Sequence, residues 1–143
     1  MPEREIIPED AKKVIRDQFF KDLRDDVVIE VFTLAGMNDP YNDAAVGLVR
    51  ALASLSPKIK ASYHTVGDLQ AQKRGVTRSP SVLIAPDAFR IRFTGAPLGE
   101  EGRSLLVAIL MASTRSVNLS EAALERLAGL KDRREIQIYV SPT

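Results

Sequence analysis

Arg78-Ser79-Pro80-Ser81-Val82-Leu83-Ile84 places a proline directly before a short apolar run. The run from Ser81 to Ile84 is too short for a helix and reads as a strand. Proline suits the entry to a strand, because its missing N–H would break a ladder further in. Downstream, Ala85-Pro86-Asp87-Ala88 has the composition of a hairpin turn. Phe89-Arg90-Ile91-Arg92-Phe93 then alternates strictly between apolar and polar residues, as a half-buried strand does. These segments predict an antiparallel hairpin over Ser81–Phe93.

Working upstream, Val27-Val28-Ile29-Glu30-Val31-Phe32 is β-branched and nearly continuous in apolarity, as expected of a central strand buried on both faces. Gly36, Asn38, Asp39 and Pro40 mark a loop after it. Ala44, Ala45, Leu48, Val49, Leu52 and Leu55 then recur at helical spacing until Pro57 stops the helix. Ile59 to Val66 alternates weakly and predicts a second strand, so Val27–Val66 reads as a right-handed βαβ crossover. Before it, Ala11, Val14, Ile15, Phe19 and Leu23 predict a helix from about Pro8 to Leu23, with Glu9 and Asp10 in its positive first turn.

Asp68 to Arg74 reads as a short helix ended by Gly75. Gly95, Pro97 and Gly99 punctuate a loop, after which Leu105, Leu106, Ala108, Ile109 and Ala112 mark a long helix. Asn118-Leu119-Ser120-Glu121 has the form of a capping box, and Ala122, Ala123, Leu127 and Leu130 follow it at helical spacing. Ile136-Gln137-Ile138-Tyr139-Val140 predicts a last strand. No internal repeat or low-complexity tract stands out. The order predicts an α/β fold, a mixed four-stranded sheet flanked by helices with an extra N-terminal helix.

At 143 residues the chain is one ordinary domain with room for a core. Apolar residues at 45% and charged residues at 27% place it with soluble globular proteins. The net charge is +1 with both signs interspersed, which gives no footprint for nucleic acid and no polybasic membrane anchor. Arg133 and Arg134 are flanked by Asp132 and Glu135, so they read as a solvated turn. No apolar run approaches membrane-spanning length, and Met1-Pro2-Glu3-Arg4-Glu5 lacks a signal-peptide core. A cytoplasmic location is therefore the expectation. Cysteine is absent, which excludes disulfides and thiolate nucleophiles.

The element order, βαβ then ββα, resembles the thioredoxin (glutaredoxin-like) fold. Three local patterns carry the resemblance: Arg78-Ser79-Pro80 before the third strand, Arg92-Phe93-Thr94-Gly95-Ala96-Pro97-Leu98-Gly99-Glu100 after the fourth, and Ile138-Tyr139-Val140-Ser141-Pro142-Thr143 at the end. They are similar to the N-terminal domain of the alkyl hydroperoxide reductase flavoprotein subunit and to protein disulfide oxidoreductases built from two tandem thioredoxin folds. The resemblance implies that Pro80 is the family's cis proline, against the general rarity of cis bonds. It implies that residues 1–130 are a first, thioredoxin-like domain lacking CxxC, and that 131–143 are a connector and the first strand of a second fold.

The family's redox motif falls on Asp39-Pro40-Tyr41-Asn42, which reads as Cys-Pro-Tyr-Cys with both cysteines replaced. The helix N-terminus that would stabilise a thiolate can accept a carboxylate instead, so Asp39, or Asn38 beside it, reads as a helix cap. A cation or partner contact at Asp39 is the sharper alternative, without a carboxylate or histidine cluster to support a metal. The cis-proline loop Arg78, Ser79 and Pro80, with Tyr41, Thr94 and Gly95, would form any remaining groove or interface. His64 is the sole histidine and reads as structural, with Tyr63 pointing to the opposite sheet face. No Gly-x-Ser-x-Gly elbow or phosphate-binding glycine motif occurs.

Two functions of different class follow. In one, the chain is the redox-inactive, structural half of a tandem disulfide-carrier unit and not an enzyme by itself. An adjacent CxxC fold then does the electron transfer, with a peroxiredoxin reached through it and FAD held in a downstream domain, as part of cell redox homeostasis. In the other, the chain is a free-standing adaptor or chaperone-like peptide binder.

Overall fold

The computed structural model describes residues 5–141. Helix α1 (Glu9–Gln18) is followed by a single 3-10 turn (Phe20–Asp22), strand β1 (Val27–Thr33), helix α2 (Asp39–Ser54), strand β2 (Ile59–Thr65) and the short helix α3 (Leu69–Arg74). Strands β3 (Ser81–Ile84) and β4 (Ile91–Thr94) come next, then helices α4 (Glu100–Thr114) and α5 (Glu121–Ala128). The sheet runs β2-β1-β3-β4. β1 lies parallel to β2, with Val27 opposite Ile59 and Thr33 opposite Thr65. The β1–β3 and β3–β4 pairs are antiparallel.

Period-two alternation sorts the strands onto two unequal faces. Val27, Ile29 and Val31 of β1, with Val82 and Ile84 of β3, face a large core completed by Ile15 of α1, Val49 and Leu52 of α2, and Leu105 and Ile109 of α4. Phe32 and Leu83 point the other way, onto Ala71 of α3 and Val76. Ser113 moors the end of α4 to the start of β1. Its Oγ accepts from the Arg24 N–H at 2.8 Å and donates to the Asp25 carbonyl at 2.7 Å.

Four expectations are corrected. The N-terminal helix stops at Gln18 and its reach to Leu23 is completed by the 3-10 turn, which still buries Phe20 and Leu23. β4 starts at Ile91 and not at Phe89. The connection is wider than a hairpin turn because the Ala88 and Phe89 N–H groups both close onto the Ala85 carbonyl, taking Phe89 out of the ladder. The cap of α5 is Ser120, whose hydroxyl accepts from the Ala123 N–H at 3.1 Å; Asn118 lies before it. Last, 136–140 form no strand. The four-stranded sheet takes up none of these residues, and Ile136, Ile138 and Tyr139 stand more than 80% exposed.

Candidate functional site

β1 delivers the chain at Thr33 into the loop 34–38, which turns into α2. Two residues make the turn in left-handed conformation: Gly36 at φ 87° and Asn38 at φ 62°. Asn38 occupies the cap position of α2, yet its side chain does not cap the helix. Its Nδ2 instead donates to the Ser79 carbonyl at 2.9 Å. Asp39 is the first helical residue, and its Oδ1 accepts from the Gly36 N–H at 2.8 Å. The expected side-chain cap at Asn38 or Asp39 is thus not made. Asn38 is drawn toward the proline loop, and Asp39 braces the turn before the helix.

Asn42, expected from the resemblance to stand for the motif's second cysteine, is buried. Its Nδ2 donates to the Leu34 carbonyl at 3.0 Å and the Met37 carbonyl at 2.7 Å. Its Oδ1 accepts from Ser79 Oγ at 2.7 Å, and that same serine oxygen accepts from the Leu34 N–H at 2.7 Å. Both ends of the carboxamide are hydrogen-bonded, so neither its nitrogen nor its oxygen is left without a partner. The Ser79–Pro80 peptide bond is cis, and Pro80 is fully buried. The Pro80 carbonyl accepts from the Gly95 N–H at 2.8 Å, tying in the end of β4.

The sequence-derived residues are therefore brought together in part. Asp39, Asn42, Ser79, Pro80 and Gly95 form one hydrogen-bonded junction across β1, α2, β3 and β4. Arg78 is exposed beside it, and its carbonyl accepts from Ser81 Oγ at 2.7 Å. Tyr41 is 53% exposed, and no hydrogen bond or ring contact joins it to Thr94 or Gly95 among the described residues. Pro40 follows Asp39 in the first turn of α2, where its missing N–H is harmless. The described residues contain no group of three His, Cys, Asp or Glu that could hold a metal. His64 stacks on Phe32 with ring centres 5.1 Å apart, and its Nε2 lies 2.9 Å from Ser62 Oγ. Tyr63 faces the other way, under the Arg50 guanidinium at 5.3 Å.

A second polar cluster has no counterpart in the reading of the sequence. Glu30, 2% exposed in the central strand, accepts from Arg74 Nε at 2.7 Å and from Gln70 Nε2 at 2.9 Å. Arg74 also meets Asp87 at 2.8 Å. Glu30 and then Asp87 hold the Arg74 guanidinium in its charged form and raise its already high pKa. Arg74 in turn pulls Asp87 below the ordinary carboxylate range. The signal for this cluster was a lone acidic residue inside an apolar strand, with Gln70 and Arg74 one helical turn apart.

No protein-family model matches the chain. An NADH dehydrogenase of Bacillus subtilis is 27% identical over 129 residues, which is 89% of this chain and 23% of that protein. An NADH dehydrogenase of Ferdinandcohnia aciditolerans is 25% identical over 127 residues, 87% of this chain and 22% of that one. The chain thus spans under a quarter of the length of these curated relatives. Among solved structures, a protein disulfide oxidoreductase from Aeropyrum pernix K1 superposes at TM-score 0.76 and 24% identity, over 88% of this chain and 56% of that one. The alkylhydroperoxide reductase AhpF of Enterococcus faecalis superposes at 0.73 and 22% identity, over 87% of this chain and 61% of that one. Strand order, the junction at Pro80 and these superpositions agree on one architecture: the chain has the thioredoxin-like fold.

Proposed function

We propose that this chain is the redox-silent half of a tandem thioredoxin-fold unit, in which an adjacent fold bearing CxxC carries out thiol–disulfide electron transfer. The observation that supports this most is a partial repeat. Glu9, Ala11 and Ile15 of α1 recur at the same spacing as Glu121, Ala123 and Leu127 of α5. Ile29-Glu30-Val31-Phe32 recurs as Ile136-Gln137-Ile138-Tyr139, after a shorter connection. The apolar pattern of the first helix and strand thus has a partial echo at the end of the chain. In the first copy Ile15, Ile29, Val31 and Phe32 are buried; in the second, Leu127, Ile136, Ile138 and Tyr139 are exposed. An amphipathic helix and an alternating segment with no core or ladder to enter are what the opening elements of a second fold look like alone.

Silence follows from chemistry, since a chain without cysteine forms no mixed disulfide. In the cis-proline loop, whose backbone a peptide adaptor would use, the Asn38 side chain takes one of the two acceptor sites of the Ser79 carbonyl and competes with a peptide there. The name NADH dehydrogenase on relatives several times longer agrees with a unit fed with electrons by a nicotinamide-dependent domain. FAD, the carrier such a path implies, would be held outside these residues, and a peroxiredoxin would be reached through the CxxC fold. The test is to express the whole reading frame and assay disulfide reduction. Activity that maps to cysteines beyond residue 143 supports the reading, and a frame without a second fold ends it.

A further inference from the structure

β2 lies at one edge of the sheet, and its face turned away from the large core carries a row of three reactive side chains. Lys60, Ser62 and His64 alternate along the strand and so stand on one side, beside Val28, Glu30 and Phe32 of β1. Ser62 Oγ lies 2.9 Å from His64 Nε2. With the ring proton on Nδ1, Nε2 accepts from the Ser62 hydroxyl. The imidazole is held against Phe32, with ring centres 5.1 Å apart and planes 26° apart. Asp68 lies within reach of its charge: the Ala71 N–H lowers the Asp68 pKa most, and the Thr65 N–H and then His64 add to it. Ser62 and His64 are half-buried. Lys60 is exposed and meets no carboxylate among the described residues. Glu30, directly across from Ser62, is engaged by Gln70 and Arg74 and competes for neither the imidazole nor the lysine.

We propose that Ser62 is a nucleophile toward small acyl phosphates, with His64 as its general base and Lys60 as the cation that receives the phosphate. The proposal does not depend on the tandem reading. A serine hydroxyl alone is a weak nucleophile, and an imidazole oriented within hydrogen-bond reach is what activates one. Ser62 Oγ forms a bond to the acyl carbon while the bond from that carbon to the phosphate oxygen breaks. The hydroxyl proton passes to His64 Nε2, and the imidazolium later releases it to water. The electron pair of the broken bond leaves on phosphate, so the step needs no oxidant or reductant. Phosphate departs without a proton of its own, which suits a pair that supplies a base and no second acid. Lys60 stands two residues from Ser62, about 6.6 Å along the strand. Its flexible four-carbon stem lets the ammonium reach a phosphate held beside the acyl carbon.

Acetyl phosphate tests this, incubated with the intact polypeptide and followed by peptide mass spectrometry. Ser54 is the internal control, an exposed serine whose hydroxyl donates to the Ala51 carbonyl at 2.6 Å and has no base beside it. Ser62 should gain an acetyl group at least about a hundredfold faster than Ser54, the lower end of what a positioned base supplies. His64→Gln should bring Ser62 down to the Ser54 rate with the circular dichroism spectrum unchanged. Lys60→Gln should slow the reaction with acetyl phosphate several-fold and leave the reaction with p-nitrophenyl acetate, which carries no phosphate, as it was. Equal rates at Ser62 and Ser54 in the wild type would overturn the proposal without recourse to a variant. So would an acetyl group on Lys60 with Ser62 bare, since the lysine would then be the nucleophile.

Discussion

Ser79 Oγ donates to Asn42 Oδ1 across 2.7 Å, and through this bond the loop before the cis proline is fastened to the first turn of α2. This bond spans the space between the two segments. That space is filled by a closed set of neutral hydrogen bonds. Asn42 draws the Leu34 and Met37 carbonyls inward, and Asn38 takes the Ser79 carbonyl. The corner is a structural joint.

That joint gives a first expectation. Asn42→Leu keeps the branched outline of the side chain but strips the Met37 carbonyl of the Asn42 bond, the Ser79 O–H of its acceptor and the Leu34 carbonyl of one of its two donors. Each buried polar group so abandoned costs about 1–3 kcal/mol, so the variant should lose about 2–4 kcal/mol once loop relaxation and entering water are allowed. Urea denaturation followed by circular dichroism measures it. A change of a few tenths would show that the junction is ornamental to stability.

Arg74 and Glu30 give a second. Arg74→Met leaves a carboxylate buried in the central strand with only Gln70 to bond it. Removing one partner of a buried pair costs about 3–5 kcal/mol, and replacing both by apolar residues recovers most of it. The double variant Glu30→Leu/Arg74→Leu should therefore be more stable than Arg74→Met alone. Chemical denaturation of the wild type and both variants decides. If the double variant is the weakest, the pair is holding the sheet in a way that packing cannot replace.

Most of the architecture could be read from local pattern, because each core strand alternates or runs apolar for a simple reason of burial. Val27–Phe32, Ser81–Ile84 and the α2 stripe were legible on that ground. The parts that were not depend on distant partners. Phe89 alternates in register with Ile91, yet the turn at Ala85 removes it from the ladder. Asn42 looked like a lost cysteine, and only the fold brings Ser79, 37 residues away, onto it. Glu30 was visible as an anomaly, but its partners come from α3. The segment 136–140 has the pattern of a strand and lacks a neighbour, and pattern alone cannot form a ladder.

Acid should loosen α3 and the β3–β4 connection before the core. Asp68 caps α3 by accepting from the Ala71 N–H at 2.7 Å, and that bond lowers its pKa. Arg74 likewise lowers Asp87. A carboxyl with a depressed folded-state pKa contributes stability above its unfolded pKa, near 3.9, and the contribution fades as pH falls through the lower folded value. Asp68→Asn and Asp87→Asn should therefore differ from wild type at neutral pH and converge on it in strong acid. Urea midpoints taken from pH 7 down to about pH 2 trace this convergence across the window set by the two depressed carboxyls. A gap that persists unchanged in acid would mean that neither charge matters to folding.

Asp39→Cys/Asn42→Cys asks whether the corner has kept the electrostatics of its kind. The two side chains already approach within 3.4 Å, Asn42 Nδ2 to Asp39 Oδ1. Positions three apart on a helix hold their Cβ atoms about 5–6 Å apart. A disulfide needs about 3.5–4.5 Å, so the first turn must tighten toward 3-10 geometry to close one. The loss of the Asn42 bonds makes the reduced form less stable than wild type by about 2–4 kcal/mol. In return, the thiol at position 39 meets the free N–H groups and positive end of α2. Its pKa should therefore fall below the ordinary value of about 8.5. Thiolate ultraviolet absorbance against pH reads that shift, and thiol counting after mild oxidation reads ring closure. A depressed pKa with closure would mean that this corner supports a redox pair once sulfur is supplied. A thiol titrating near its ordinary value would mean that the helix end has been turned away from the site along with the chemistry.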